Sequence, residues 1–170
     1  MGKASVKENK NIYHLAREEL GYSREKAAEE LCGISKDRIW KIENDPSVVP
    51  HPEEVLLMAQ KYKKPCLCNH FCSQECAIGK QYVPKLEIKE LSSIVLEMLA
   101  SLNAANKRKD RLIEIAADGK IDKDEIDDFI YIQDELEKIA ITVKTLQLWS
   151  EKMLATGVID AKEYNARKNK

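Results

Sequence analysis

Four of the chain's five cysteines fall in one stretch, "CLCNHFCSQEC", where Cys66, Cys68, Cys72 and Cys76 surround His70. Thiolates at such density suit a structural zinc or an iron–sulfur cluster, and His70 can stand in for one of them. On an unbroken helix, however, Cys68, Cys72 and Cys76 spread about 12 Å along the axis, and Cys66 and Cys68 point to different sides. A single metal centre therefore requires a loop, or a break near Asn69 and His70. A thiol redox switch is a second reading, although no cationic side chain lies between the cysteines to lower a thiol pKa. The third is plain packing, since free cysteine is among the most frequently buried residues. The spacing is not that of a paired CxxC zinc ribbon, and all three readings stay open at this level.

The elements that must position these thiols are helical. The chain has 170 residues, a net charge of −1, and a Leu/Ile/Lys/Glu-rich composition with only six glycines and five prolines. Such a profile predicts an all-α fold. No apolar run approaches the roughly 18 residues that span a membrane, and no secretory signal is visible, so the expected location is cytoplasmic. Near-neutral charge means that any nucleic-acid surface must be a local patch. Three regions separate by pattern: short helices over 11–64, a Cys-containing connecting segment over 65–84, and long helices ending in a short one over 85–170.

In that last region a 3–4 apolar repeat runs through Ile88, Leu91, Val95, Met98, Leu102 and Ala105, and again through Phe129, Ile132, Leu136, Ile139, Val143 and Leu146. It predicts a coiled-coil-like helical hairpin with more apolar surface than one hairpin partner covers, and hence a homodimer. The joints "DGKIDKDE" and "TGVIDAKE" share a G-x-I-D-x-x-E pattern. The first resembles half of a calcium loop, but Ala116 falls where an oxygen ligand is required, so no calcium is expected. Capping boxes from Asp122 to Glu125 and from Asp160 to Glu163 account for both joints.

The N-terminal region contains "SREKAAEELCGISKDRIWKIE", Ser23 to Glu43. Ser23 and Ser35 can each cap a helix, and Gly33 allows a tight turn between them. Ala27, Ala28, Leu31, Ile39 and Ile42 mark the inner faces, which is the pattern of a helix-turn-helix. Through Ser23, Ala28, Gly33, Ile34, Ser35, Ile39, Ile42 and Glu43 the sequence resembles the lambda-repressor/Cro-like (XRE-type) helix-turn-helix regulators, from about Ile12 to Tyr62. "HPEEVLLMAQKY" looks like that family's fourth helix, packed through Val55, Leu56 and Ala59, and the Cys-containing segment with a long-helix tail looks like an extension carried by some members.

The resemblance implies a five-helix N-terminal domain that binds double-stranded DNA through Arg24, Ser35, Lys36, Asp37, Arg38, Trp40 and Lys41. Lys36, Asp37 and Trp40 would face bases, and Arg24, Arg38 and Lys41 would meet phosphates. Arg24 stands where the family often has Gln, and Trp40 is large for a groove-facing position. The competing expectation is a helical protein–protein adaptor without DNA binding, because acidic residues offset much of the basic charge in this region. No Gly-rich phosphate loop, HExxH or nucleophile–base pair is present, and His14, His51 and His70 are isolated, so no enzyme activity and no small-molecule substrate are expected.

Overall fold

The computed structural model describes residues 9–117 and 119–168, and among them there are helices and no strands. They fall into two compact units, one lying within residues 1–85 and 151–170 and the other within residues 86–150. No described helix is long and apolar enough to cross a membrane.

The first unit begins with four capped helices. Asn11 caps α1 (Ile12–Glu19), its side chain accepting from the His14 N–H at 3.0 Å. Ser23 caps α2 (Arg24–Leu31) and Ser35 caps α3 (Lys36–Asn44), each accepting from the N–H three residues on. Pro52 opens α4 (Pro52–Lys61), where the His51 N–H donates to Glu54 at 2.7 Å. The turn between α2 and α3 needs two unusual residues. Cys32 sits at φ 40° in the left-handed region, and Gly33 at φ 143°, where a side chain is strained. The sequence pattern identifies Gly33 but gives no sign of Cys32.

The fifth helix of this domain comes from the cysteine segment. After Pro65 the chain forms α5 (Cys66–His70), which widens into a π turn over Phe71–Glu75 before Cys76 becomes extended. Leu67 and Phe71 enter the same core as Tyr13, Leu31, Ile34, Ile39, Ile42, Val55, Met58 and Tyr62. Each such burial stabilises the fold by about 2 kcal/mol. Leu56, expected inside, is instead 52% exposed, and Met58 takes its place because the face of α4 turned inward is Val55, Met58 and Ala59.

A one-turn helix, α6 (Gly79–Tyr82), closes onto the π turn. Gly79 is required there by space, since a Cβ would lie 2.0 Å from the Cys72 carbonyl oxygen. The unit also holds α10 (Ala161–Lys168).

The second unit contains α7 (Leu91–Lys107) and, after a break at Arg108, α8 (Lys109–Ala116). It also holds most of α9 (Ile126–Ala155). Arg108 and Arg111 both reach Asp128, and Arg108 stands over the Tyr131 ring, so the end of α7 lies beside the start of α9. Apart from Ile132, the fully buried positions differ from the expected seam. The buried positions are Ile94, Ser101 and Ile115, then Ile132, Glu135, Thr142, Thr145 and Leu148, whereas Leu91, Leu102, Leu136 and Val143 are exposed. Small and polar side chains occupy the inner face, which turns the apolar repeat partly outward.

Both joints are capped. Gly119 and Gly157 have φ 71° and 77°. The Asp122 N–H donates to Glu125 at the first joint, and the Glu163 N–H donates to Asp160 at the second. Asp118, the first residue of "DGKIDKDE", lies outside the described residues.

Gly79→Ala should destabilise the protein by about 2 kcal/mol in urea denaturation, because backbone rather than a flexible side chain must yield. Gly157→Ala, where the space is open and only the positive φ is at stake, should cost about 1 kcal/mol. Equal effects would show that the contact of α6 with the π turn is not tight.

Candidate nucleic-acid interface

The site begins with a buried carboxylate. Glu43, near the end of α3, follows Ile39 and Ile42 on the inward face and is 3% exposed. Arg17 of α1 grips it in a forked pair, Nε to one oxygen at 2.5 Å and a terminal nitrogen to the other at 3.0 Å. Arg24, the first residue of α2, donates to it at 2.8 Å. Arg17 also donates to the Tyr22 carbonyl, closing the α1–α2 turn. The fully buried His14 ring is 3.9 Å from the same carboxylate and 3.0 Å from Glu18. Asn11 adds a further tie, donating from its amide to the Ile42 carbonyl at 2.7 Å. One buried acid thus joins α1, α2 and α3 and fixes how α3 sits.

A second pair fixes α3 against α4. Arg38 donates to both oxygens of Glu54, at 2.8 and 2.7 Å. The arginine beside it holds the Glu54 carboxyl below its ordinary 4.5. That same carboxylate accepts from the His51 N–H, so cap and clamp share one group.

With Ile39, Ile42 and Glu43 inward, the opposite face of α3 is left outside. Lys36, Asp37, Trp40 and Lys41 are all exposed and share one side of the helix, Trp40 being 49% exposed. Lys36 meets Glu25 across the turn at 2.5 Å, and this contact holds the Glu25 carboxyl down at about 2. The Asn44 amide donates to the Trp40 carbonyl at 2.8 Å.

The seven residues named from the sequence therefore divide. Lys36, Asp37, Trp40 and Lys41 form a continuous outer face. The Ser35 hydroxyl is used as the cap of α3. Arg24 and Arg38 are engaged inside the domain, with Glu43 and Glu54. The sequence analysis missed Arg17 and Asn11. A signal for Arg17 exists: it shares the inward register of α1 with Tyr13 and Ala16, where a lone cation needs a buried acid.

Among the described residues, no three His, Cys, Asp or Glu side chains are grouped so as to hold a metal ion. Cys68, Cys72 and Cys76 pack against the core, and burial pushes the Cys66 and Cys68 thiols up, favouring their neutral form. Close by, His70 and Tyr13 both meet Glu75, at 3.3 and 3.0 Å.

A family model described as helix-turn-helix matches residues 14–66, less than half of the chain, from within α1 to the first residue of α5. Comparison with curated proteins and with solved structures gives no significant match.

Two outcomes follow for the clamps. Glu43→Gln leaves Arg17 buried without its counter-charge and should cost about 3 kcal/mol in thermal or urea denaturation. For Glu54 the folded pKa is depressed, so its contribution is complete above about 4.5 and is lost as pH falls through the folded value. Glu54→Gln should accordingly flatten the acid limb of a stability–pH profile below pH 4.5, and an unchanged limb would deny Arg38–Glu54 that role.

Proposed function

We propose that this chain, which carries at residues 14–66 a helix-turn-helix domain of the DNA-binding XRE, lambda-repressor-like regulators, binds specific duplex sites as a dimer with α3 in the major groove. The observation that carries this reading is the outer face of α3, where Lys36, Asp37, Trp40 and Lys41 stand together while three inward residues lock the helix. Lys36 and Asp37 lie in the first turn of α3, and the N-terminal residues of a recognition helix are the ones that contact base edges. Lys36 donates to guanine acceptors, which requires it to leave Glu25, and Asp37 accepts from a cytosine amino group. Trp40 offers an apolar contact to a thymine methyl group, and Lys41 meets a phosphate.

Arg24 and Arg38 act from within in this reading. They hold α2, α3 and α4 together through Glu43 and Glu54, so their loss lowers stability first and DNA affinity as a consequence. A dimer places two such helices about 34 Å apart on one face of the duplex. Regulation follows from occupying or reorganising the DNA at that site, in the cytoplasm.

The adaptor reading keeps one supporting observation, the Lys36–Glu25 pair, which neutralises part of the basic face. Salt dependence separates the two. Lys41→Ala should weaken duplex binding for all sequences and reduce the slope of log K against log salt by about 0.9. Trp40→Ala should lower affinity for the selected site by roughly 10-fold with little change in nonspecific binding. No duplex binding at low salt, measured by fluorescence anisotropy with random and selected DNA, would favour the adaptor.

A further inference from the structure

Two side chains of opposite chemistry adjoin on the outer face of α3. Asp37, in the first turn, is exposed, and its carboxylate has no hydrogen-bond or ion-pair partner among the described residues. The neighbouring Lys36 is matched instead to Glu25. Trp40 stands three positions further on and is 49% exposed. Residues three apart on a helix are neighbours, and long side chains lean back over the preceding turn. A strong hydrogen-bond acceptor and an apolar surface thus lie side by side.

A base edge that complements this pair must present a donor next to a hydrocarbon group. Guanine presents two acceptors to the major groove, and thymine an acceptor beside its methyl group, so each sets an acceptor against the carboxylate. Adenine presents its amino donor beside a ring-nitrogen acceptor, which faces the same carboxylate. Cytosine presents the amino donor without a hydrocarbon group. A methyl group on the ring carbon next to the one that bears the amino group supplies the missing half. Methylation of the amino nitrogen itself, in cytosine or adenine, takes the place of the hydrogen that faces the groove and removes the donor.

We infer that α3 recognises 5-methylcytosine in duplex DNA, Asp37 accepting from its amino group and Trp40 covering its methyl group. This rests on the reading of α3 as a recognition helix and names the base that its first two turns select. Two considerations favour the methylated base over plain cytosine. A carboxylate turned toward DNA is repelled by the phosphates, so it contributes only when matched to a base donor. A tryptophan ring left half exposed gains by covering a methyl group and gains less against a bare ring edge.

The test is fluorescence anisotropy on the full chain, with far-UV circular dichroism as the control for folding. Duplex sites are first selected from two random libraries, one synthesised with cytosine and one with 5-methylcytosine. Each cytosine of a selected site is then exchanged in turn. At the recognised position 5-methylcytosine should bind roughly 4-fold tighter than cytosine, the value of one covered methyl group. A thymine–adenine pair or N4-methylcytosine there should bind about 10-fold more weakly than 5-methylcytosine. Trp40→Ala should erase the preference for the 5-methyl group while keeping cytosine over thymine. Asp37→Asn, whose amide both donates and accepts, should narrow the gap between 5-methylcytosine and thymine. Both side chains are on the surface, so helicity should be unchanged in each variant. Methylation that leaves affinity unchanged or lowers it at every cytosine, or a methyl preference that survives Trp40→Ala, overturns this inference and leaves the recognition-helix reading standing. Failure to select any duplex from either library at low salt overturns both.

Discussion

A single buried carboxylate organises the first unit. Glu43 takes three hydrogen bonds from Arg17 and Arg24, with His14 adjacent, in a position 3% exposed. A charge placed there is costly unless its lone pairs are filled, and two arginines fill them from two other helices. The consequence is positional rather than merely stabilising. With Glu43 anchored, Ile39 and Ile42 must point inward, so Lys36, Asp37, Trp40 and Lys41 must point out. The outer face of α3 is therefore a corollary of the clamp beneath it.

The same logic explains why charged residues of one type serve different ends. Arg24 and Arg38 lie within or beside the motif that carries the family resemblance, and a cation there suggests a phosphate contact. Each instead finds an acid within the domain, Glu43 for one and Glu54 for the other. Guanidinium groups suit such forked, partly buried pairs, whereas the compact ammonium of Lys41 remains on the surface. A basic residue in a helix-turn-helix is thus no guide to its role until its neighbours are known.

The cysteine segment shows how chemistry-bearing residues can serve packing. Leu67 and Phe71 supply the core contacts of a fifth helix, and the cysteines flank them in half-buried positions. The π turn lets the chain fold sharply back over Gly79, whose missing side chain makes room for the Cys72 carbonyl. At Cys66 and Cys68 burial disfavours the thiolate, so neutral thiols fit that setting.

The sequence by itself determined the helical class, the caps at Ser23, Ser35, Asp122 and Asp160, the tight turn at Gly33 and the helix-turn-helix register. These are local matters, since a cap or an apolar period is written within four residues of where it acts. What tertiary structure alone decided depends on partners far apart in the chain. Arg17 and Glu43, separated by 26 positions, and Arg38 and Glu54, separated by 16, become pairs only when helices meet. The choice of Met58 over Leu56, and of Ser101 and Thr142 over Leu102 and Val143, was likewise set by which face the neighbouring helices cover. An apolar repeat specifies a stripe, but the rotation of the helix about its own axis is fixed by what packs against it.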